Sequence, residues 1–116
     1  MAVLSSVEVP RIFLVLLNNL YEAERKLAMH GDTGNVQRNV DRMKGALQEQ
    51  GLVFEDPMGQ RFQETRTDLE ATISGDSADN LVVVEVIKPV VRYEIDGLSK
   101  VVQRGIVVVQ SQGKGE

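Results

Sequence analysis

Few side chains in this sequence are of the types that carry out acid–base, nucleophilic or metal chemistry. His30 is the only histidine, and the chain has no cysteine, which excludes disulfides, zinc–thiolate sites and cysteine nucleophiles. A lone histidine without cysteine or a nearby acidic cluster is a poor metal site, and one imidazole would have to serve any catalytic triad. Beside Gly31, at the end of a predicted helix, His30 is suited instead to stabilise the helix C-terminus.

The carboxylates and glycines do not form a catalytic or nucleotide-binding pattern either. Glu22 and Glu24 lie two apart on a predicted helix and therefore point to different faces. Asp68 and Glu70 would share one strand face, but nothing there indicates an acid–base pocket. The segment from Gly31 to Gly34 links two helices and lacks the lysine that follows a Walker loop. We therefore expect no catalytic residue, no metal and no cofactor, and an interaction protein rather than an enzyme.

The composition is that of a folded domain whose core is built from Val, Leu and Ile. Hydrophobic residues make up 42% and charged residues 26% of the 116 residues, and the aromatic residues are two Tyr and three Phe. The net charge is −4, and residues 52–116 hold the whole acidic excess, which argues against nucleic acid as a partner. An acidic surface can steer towards a basic partner, although a merely solvated surface is the alternative.

The sequence shows none of the signals that secretion or membrane insertion would need. No basic segment precedes an apolar stretch near the N-terminus, so a signal peptide is not predicted. The longest early apolar run, Ile12–Leu17, is far shorter than the roughly 20 residues that span a bilayer. We therefore expect a cytoplasmic protein without a membrane partner, and the absence of cysteine fits a reducing compartment.

A first helix is predicted from Pro10 to about Met29, with apolar residues over most of its circumference. Pro10 suits the first turn of a helix, whereas a capping box in residues 5–8 offers a competing, earlier start. The apolar arc is wider than one neighbouring helix covers, so a second subunit or the chain's own sheet must cover the rest. Of these two alternatives we favour a homodimer.

A second helix is predicted over about Asn35–Gln50, with Asp32 or Thr33 as its cap and Gly51 as its terminator. A short glycine-containing loop between two helices predicts an antiparallel helical hairpin. The expected dimer contacts are apolar positions of both helices: Phe13, Leu16, Leu17, Leu20, Leu27, Val36, Val40, Met43 and Leu47.

After Gly51 the hydrophobic period changes to two, which predicts strands. The predicted strands are Leu52–Phe54, Leu69–Ser74, Leu81–Ile87, Val90–Ile95 and Lys100–Val109. The third of these is apolar on both faces apart from Glu85, so we expect it at the centre of a sheet, ended by Pro89.

Turn and glycine signals divide the strands and complete the expected fold. The segment Asp56–Gly59 predicts a turn, Asp96 with Gly97 predicts a hairpin, and Gly105 indicates a bulge or a close backbone approach. The expected fold class is α+β, in which a helical hairpin for dimerisation (residues 1–51) precedes a small, mostly antiparallel β domain (residues 52–116). The tail is expected to fray from about residue 110.

Four segments, taken in order, resemble the GrpE family. Leu16–Leu27 reads LLNNLYEAERKL and resembles the family pattern LLPVLDNLERAL. Asp56–Phe62 reads DPMGQRF and resembles the family's DPxGxxF turn. Met43–Phe54 resembles the family's second helix leading into its first strand. Leu81–Lys88 and Lys100–Val109 resemble the family's closing strands. The resemblance covers about residues 12–110.

The resemblance implies a co-chaperone that assists protein folding. GrpE proteins are homodimers in which paired helices and a short four-helix bundle carry two β domains, one of which opens the nucleotide cleft of the chaperone DnaK so that ADP leaves. The implied partners are therefore a second copy of the chain and a DnaK-type chaperone. The residues implied to face or support the chaperone are Arg25, Met58, Gln60, Arg61, Phe62, Tyr93, Lys100, Gln103 and Arg104.

The chain also departs from the family pattern. We expect no counterpart of the family's long N-terminal coiled coil, and we therefore expect a dimer to rely on the bundle alone. The family's His-Glu-Ala becomes Leu69-Glu70-Ala71 after two additional residues, and its closing Arg-Pro-Ala becomes Gln103-Arg104-Gly105. These changes fall on the surface implied to touch the chaperone. The alternative is therefore a structural or adaptor protein that keeps the GrpE fold without nucleotide exchange.

Overall fold

The computed structural model describes residues 8–112 and shows an α+β fold in which two helices precede small sheets. The helices are α1 (Arg11–His30) and α2 (Gln37–Glu49). The strands are β1 (Leu52–Glu55), β2 (Leu69–Ser74), β3 (Leu81–Lys88), β4 (Val90–Ile95), β5 (Leu98–Gln103) and β6 (Gly105–Ser111). In the described part of the chain, neither helix is both long and apolar enough to cross a bilayer.

Helix α1 begins directly after Pro10, which confirms the later of the two predicted starts. Pro10 has φ −55°, and its carbonyl accepts a hydrogen bond from the backbone N–H of Phe13 at 3.0 Å. The competing capping box falls largely on residues 5–7, which lie outside the described residues. The helix ends at His30, where Gly31 takes φ 86° and its N–H donates to the carbonyl of Leu27 at 2.8 Å.

Of the two predicted caps, Asp32 or Thr33, it is Asp32 whose side chain bonds the start of α2, where Val36 holds the N-cap position. The two carboxylate oxygens of Asp32 accept hydrogen bonds from the backbone N–H groups of Val36 at 2.6 Å and Gln37 at 2.8 Å. These are donors that the helix itself cannot satisfy. At the other end of the helix, Gly51 takes φ 87° and its N–H donates to the carbonyl of Gln48 at 2.9 Å.

The strands form two three-stranded sheets. One sheet has the order β1-β4-β5, and its last two strands are joined by Asp96 and Gly97, both at positive φ, which confirms the predicted hairpin. The other sheet has the order β2-β6-β3, in which β6 pairs parallel with β2 and antiparallel with β3. The second sheet is therefore mixed rather than purely antiparallel.

The chain forms two compact units that do not follow the predicted boundary after Gly51. The first unit comprises the described residues up to Phe54 together with Val91–Val102, and the second comprises Glu55–Val90 and the described residues from Gln103 on. The first unit is held by a core in which Leu17 of α1 packs with Leu52 of β1 and Val91 of β4. The first sheet therefore belongs with the helices, because it covers one side of α1.

The prediction that Leu81–Ile87 is a central strand is wrong, since β3 lies at the edge of its sheet and β6 lies at the centre. The register of β3 against β6 shifts twice, between Val83 and Glu85 and between Val86 and Lys88. Glu85 and Ile87 lie at these irregularities and are exposed. A valine-rich segment therefore forms an edge strand here.

The predicted strand Lys100–Val109 is in fact two strands in different sheets, separated at Arg104. Of the two roles predicted for Gly105, a bulge or a close backbone approach, the structure shows the close approach. A methyl group at this position would lie 2.8 Å from Leu69 and 3.0 Å from Val90. Fraying from residue 110 is also wrong for the described residues, since Gln110 and Ser111 pair within β6. The remaining residues of the predicted tail, 113–116, lie outside the described part of the chain.

Candidate interaction surfaces

The first candidate surface is an open apolar groove between the two helices. It has a volume of about 400 Å³ and is lined by Leu16, Asn19, Leu20, Met43, Ala46 and Leu47. Leu16 is 45% exposed and Met43 is 49% exposed. Leu16 and Leu17 are neighbours on α1 and point about 100° apart. The first sheet therefore covers Leu17 while leaving Leu16 open to solvent.

The nine predicted dimer contacts fall into three groups by exposure. Leu17, Leu20 and Val40 are buried within the single chain. Phe13, Leu27 and Leu47 are half-buried, and Leu16, Val36 and Met43 are exposed. The buried three therefore belong to the interior of the first unit, although Leu20 also lines the floor of the groove. Of the exposed three, Leu16 and Met43 line the groove, whereas Val36 does not.

A polar pair that sequence reasoning missed joins the two helices. The Lys44 ammonium lies 3.0 Å from the Glu24 carboxylate, and the side-chain amide of Gln37 donates to the same carboxylate at 2.9 Å. Lys44 also lies 5.0 Å from the centre of the Phe54 ring. Glu24 and Lys44 are 20 positions apart in sequence, so no local spacing rule relates them.

The second candidate surface is the turn that carries DPMGQRF, which lies in the second unit. Asp56 accepts a hydrogen bond from the N–H of Met58 at 3.0 Å, and the N–H of Gln60 donates to the carbonyl of Pro57 at 3.1 Å. Gly59 takes φ 81°. The predicted turn is therefore confirmed, and it leaves the Met58 side chain 45% exposed.

The turn is fastened along the outer edge of β3. The carbonyl of Val83 accepts from Gly59 at 3.0 Å, and the N–H of Val83 donates to the carbonyl of Gln60 at 2.9 Å. The N–H of Phe62 donates to the carbonyl of Leu81 at 2.9 Å. These bonds satisfy backbone groups that an edge strand would otherwise present to solvent. The structure thus brings four of the predicted chaperone-facing residues onto one turn: Met58, Gln60, Arg61 and Phe62.

The Arg66 side chain bonds this turn to Asp68, an arrangement that we call the brace. The brace was not predicted from the sequence. The Nε and Nη2 of Arg66 donate to the two carboxylate oxygens of Asp68 at 3.0 Å and 2.8 Å, a bidentate pair. Its Nη1 donates to the side-chain oxygen of Gln60 at 3.0 Å and to the carbonyl of Arg61 at 3.3 Å. The hydrogen bond to Asp68 raises the pKa of Arg66 above its ordinary value, so the guanidinium stays charged.

The sequence contains a weak signal for the brace. Arg66 and Asp68 lie two residues apart, a spacing that places side chains on one side of an extended segment. Asp68 and Glu70 also lie two residues apart, so this spacing alone does not show that Asp68 pairs with Arg66. Such spacing is common in surface loops, and only the contacts to Gln60 and Arg61 distinguish this pair.

The other predicted chaperone-facing residues lie apart from this turn in sequence, and several use their side chains within their own unit. In the first unit, Tyr93 packs against the core, and the Arg25 guanidinium lies 5.5 Å from the centre of the Tyr21 ring. Lys100 is half-buried in β5.

In the second unit, the side-chain amide of Gln103 donates to the carbonyl of Pro89 at 3.0 Å. Arg104 donates to the carbonyl of Leu69 at 2.7 Å, and its guanidinium lies 3.9 Å from Glu70. Gln103 and Arg104 therefore have structural partners before any other protein binds.

Among residues 8–112, no three Asp, Glu or His side chains converge as metal ligands. Comparison of the chain with protein-family models, with curated proteins and with solved structures finds no match.

Proposed function

We propose that this protein is a GrpE-like co-chaperone that acts as a homodimer and promotes ADP release from a DnaK-type chaperone. The observation that carries the proposal is that one chain combines an open apolar face on a helical hairpin with an exposed, fastened DPMGQRF turn. Both features lie in segments whose sequence resembles the family, and they follow one another in the order that the resemblance implies. We place its action in the cytoplasm, which suits a chain without cysteine.

In the proposed dimer, two helical hairpins pair through their open faces and form a four-helix bundle. Leu16, Val36 and Met43 would contact the same apolar patch on the second copy, because a two-fold interface uses one patch of each chain. Fully burying an exposed leucine or methionine contributes about 1.5–3 kcal/mol, and Leu16 and Met43 would contribute roughly half of that, because each is already about half buried. The groove lined by Leu16 and Met43 supports this pairing, since it is open and almost wholly apolar.

The proposed mechanism is a shift in the population of the chaperone's nucleotide cleft. A protein that binds the open cleft more tightly than the closed one favours opening, and the bound ADP then dissociates. Each tenfold preference for the open state requires about 1.4 kcal/mol of differential binding. Exposed side chains on a hydrogen-bonded turn, such as Met58, are suited to supply this differential binding energy. The mechanism needs no catalytic residue.

A second candidate function is that of an adaptor that binds other proteins without promoting exchange. The observation that favours it is the internal use of Gln103 and Arg104, whose side chains donate to the carbonyls of Pro89 and Leu69. Side chains that already bond within the unit have fewer free donors for a chaperone. In this case the chain would dimerise and bind partners while leaving the ADP release rate unchanged.

The test is the rate at which a fluorescent ADP analogue leaves a DnaK-type chaperone as the protein is added. The proposal predicts acceleration that saturates with protein concentration. Met58→Ala should raise the half-saturating concentration about tenfold, the cost of losing one central contact residue. Met29→Ala, at an exposed methionine outside both surfaces, should leave it unchanged. No acceleration at saturating protein would reject exchange, and binding without acceleration would favour the adaptor.

A further inference from the structure

We propose that Arg66 is a positioning residue that, anchored on Asp68, fixes the Met58–Phe62 turn in the shape that a partner binds. The inference rests on the proposed function for the identity of the partner. The bracing of the turn is a property of the chain itself and is tested separately below.

The Arg66 guanidinium contacts three residues of the segment between β1 and β2, namely Asp68, Gln60 and Arg61. The Asp68 carboxylate occupies two of the guanidinium nitrogens at 2.8–3.0 Å, which fixes the plane of the guanidinium. The remaining nitrogen then reaches the Gln60 side chain and the Arg61 carbonyl. The backbone N–H of Arg66 also donates to the carbonyl of Gln63 at 2.9 Å, so the residue is tied at both its backbone and its side chain.

The segment between β1 and β2 needs such a brace because it has little secondary structure. Residues 56–68 contain no helix or strand, apart from a single bridge between Arg61 and Val82. Ordering each residue of a loop costs about 1–2 kcal/mol of backbone entropy, and loops of about this length without secondary structure are commonly functional. Here the backbone bonds to β3 hold one side of the turn, and Arg66 holds the other.

The replacements follow from the shape of the guanidinium. Arg66→Met keeps an unbranched apolar stem and removes every donor. Arg66→Lys keeps the charge, but an ammonium lacks the planar fork that meets Asp68 and the turn together. Asp68→Asn weakens the anchor, because the amide keeps one acceptor oxygen but loses the charge and the second acceptor, and it leaves Arg66 in place. Arg38→Met, at an exposed position of α2, is the matched control.

The experiment uses the full chain and two readouts. Amide hydrogen exchange is measured at Gln60, whose N–H bonds within the turn, and at Gly59 and Phe62, whose N–H groups bond to β3. Val107 and Val109 in β6 are the reference. Affinity is measured by titrating the nucleotide-binding domain of a DnaK-type chaperone, alongside the maximal rate of ADP release. Arg66→Met should speed exchange at the turn by about tenfold or more, as expected when a charged hydrogen-bonding partner is lost, without speeding exchange in β6.

The affinity should fall about tenfold in parallel, with the maximal release rate retained, because the turn still reaches the bound shape at an entropic cost. Arg66→Lys and Asp68→Asn should give intermediate values, and Arg38→Met should match the original chain. Unchanged exchange at the turn in Arg66→Met would overturn the proposal, as would faster exchange with unchanged affinity.

Two further outcomes are also decisive. If Arg66→Met loosens β6 as well, the Arg66→Lys variant decides whether the brace exists, because it retains the charge and most of the packing. If no chaperone responds to the original chain, the proposed function is wrong, and amide exchange alone decides whether Arg66 holds the turn.

Discussion

At the scale of single residues, the packing around Gly105 allows no side chain at that position. A methyl group there would lie 2.8 Å from Leu69, 3.0 Å from Val90 and 3.4 Å from the carbonyl of Lys88. Leu69 and Val90 are both almost fully buried, so neither has free space to move into. The glycine therefore permits β2, β6 and the start of β4 to pack closely within the second unit.

Gly105→Ala should accordingly destabilise the second unit by about 1–3 kcal/mol, the usual cost of overpacking. Gly45→Ala is the matched control, because a methyl group there meets nothing within 4 Å and α2 gains a better helix former, worth about 0.5–1 kcal/mol. The measurement is amide exchange in β6 for the first variant and in α2 for the second. A Gly105→Ala protein whose β6 amides exchange no faster than before would contradict the packing described here.

Sequence reasoning at this scale succeeded where the physics is local. Asp32 and Thr33 were the two predicted caps because their side-chain oxygens can reach the free N–H groups of the following helix, and Asp32 accepts hydrogen bonds from two such groups. Arg66 was missed because its role depends on Gln60 and Arg61, which are brought to it by a folded loop. Periodicity and turn signals carry no information about such contacts.

At the scale of elements, the contact between the two helices depends on the pair formed by Glu24 and Lys44 as well as on apolar packing. Glu24→Gln keeps the shape of the side chain and removes its charge. It should destabilise the hairpin by about 1 kcal/mol in low salt, and less in high salt, because the pair is partly exposed. Glu22→Gln, an exposed carboxylate on the same helix, serves as the control. Urea denaturation at two salt concentrations measures both, and equal stability of the two variants would count against a role for the pair.

The open face of the hairpin allows pairing to be tested without disturbing the core. Met43→Asp should shift the protein from dimer to monomer, because a carboxylate buried in an apolar interface without a partner costs several kcal/mol. Since Met43 is half exposed in the single chain, the helical content should be unchanged. Met29→Asp makes the same change at a residue that is 73% exposed and outside the groove, and it should leave the mass unchanged. Light scattering measures the mass, and a Met43→Asp protein that stays dimeric would exclude this face as the interface.

The hydrophobic pattern predicts where the strands lie but not how they are ordered within the sheets. The positions of β1, β2 and β4 followed from their alternating residues and turn signals. The order within the sheets did not, because both β3 and β6 are rich in valine and only β6 is central. The separation at Arg104 was also missed, since the run Lys100–Val109 is continuous in pattern while its two halves pair in different sheets.

At the scale of the whole molecule, the change of period after Gly51 marked the end of the helices rather than the boundary of a compact unit. β1 and the hairpin of β4 and β5 join the helices, because Leu52 and Val91 are the partners of Leu17. Hydrophobic period shows that a face is buried but does not identify its partner. The first sheet covers one side of α1 and leaves the groove near Leu16 and Met43 open, and the proposed dimer would use this groove.

The most direct test of the proposed function is the mass of the protein in solution, measured by light scattering after gel filtration, with and without a DnaK-type nucleotide-binding domain. We predict twice the 12.8 kDa of one chain for the protein alone, and a complex that contains one nucleotide-binding domain per dimer. Addition of ADP should weaken that complex, because a co-chaperone that favours the open cleft and a nucleotide that favours the closed one oppose each other. A protein of 12.8 kDa whose elution and mass do not change when the domain is added would contradict the proposal.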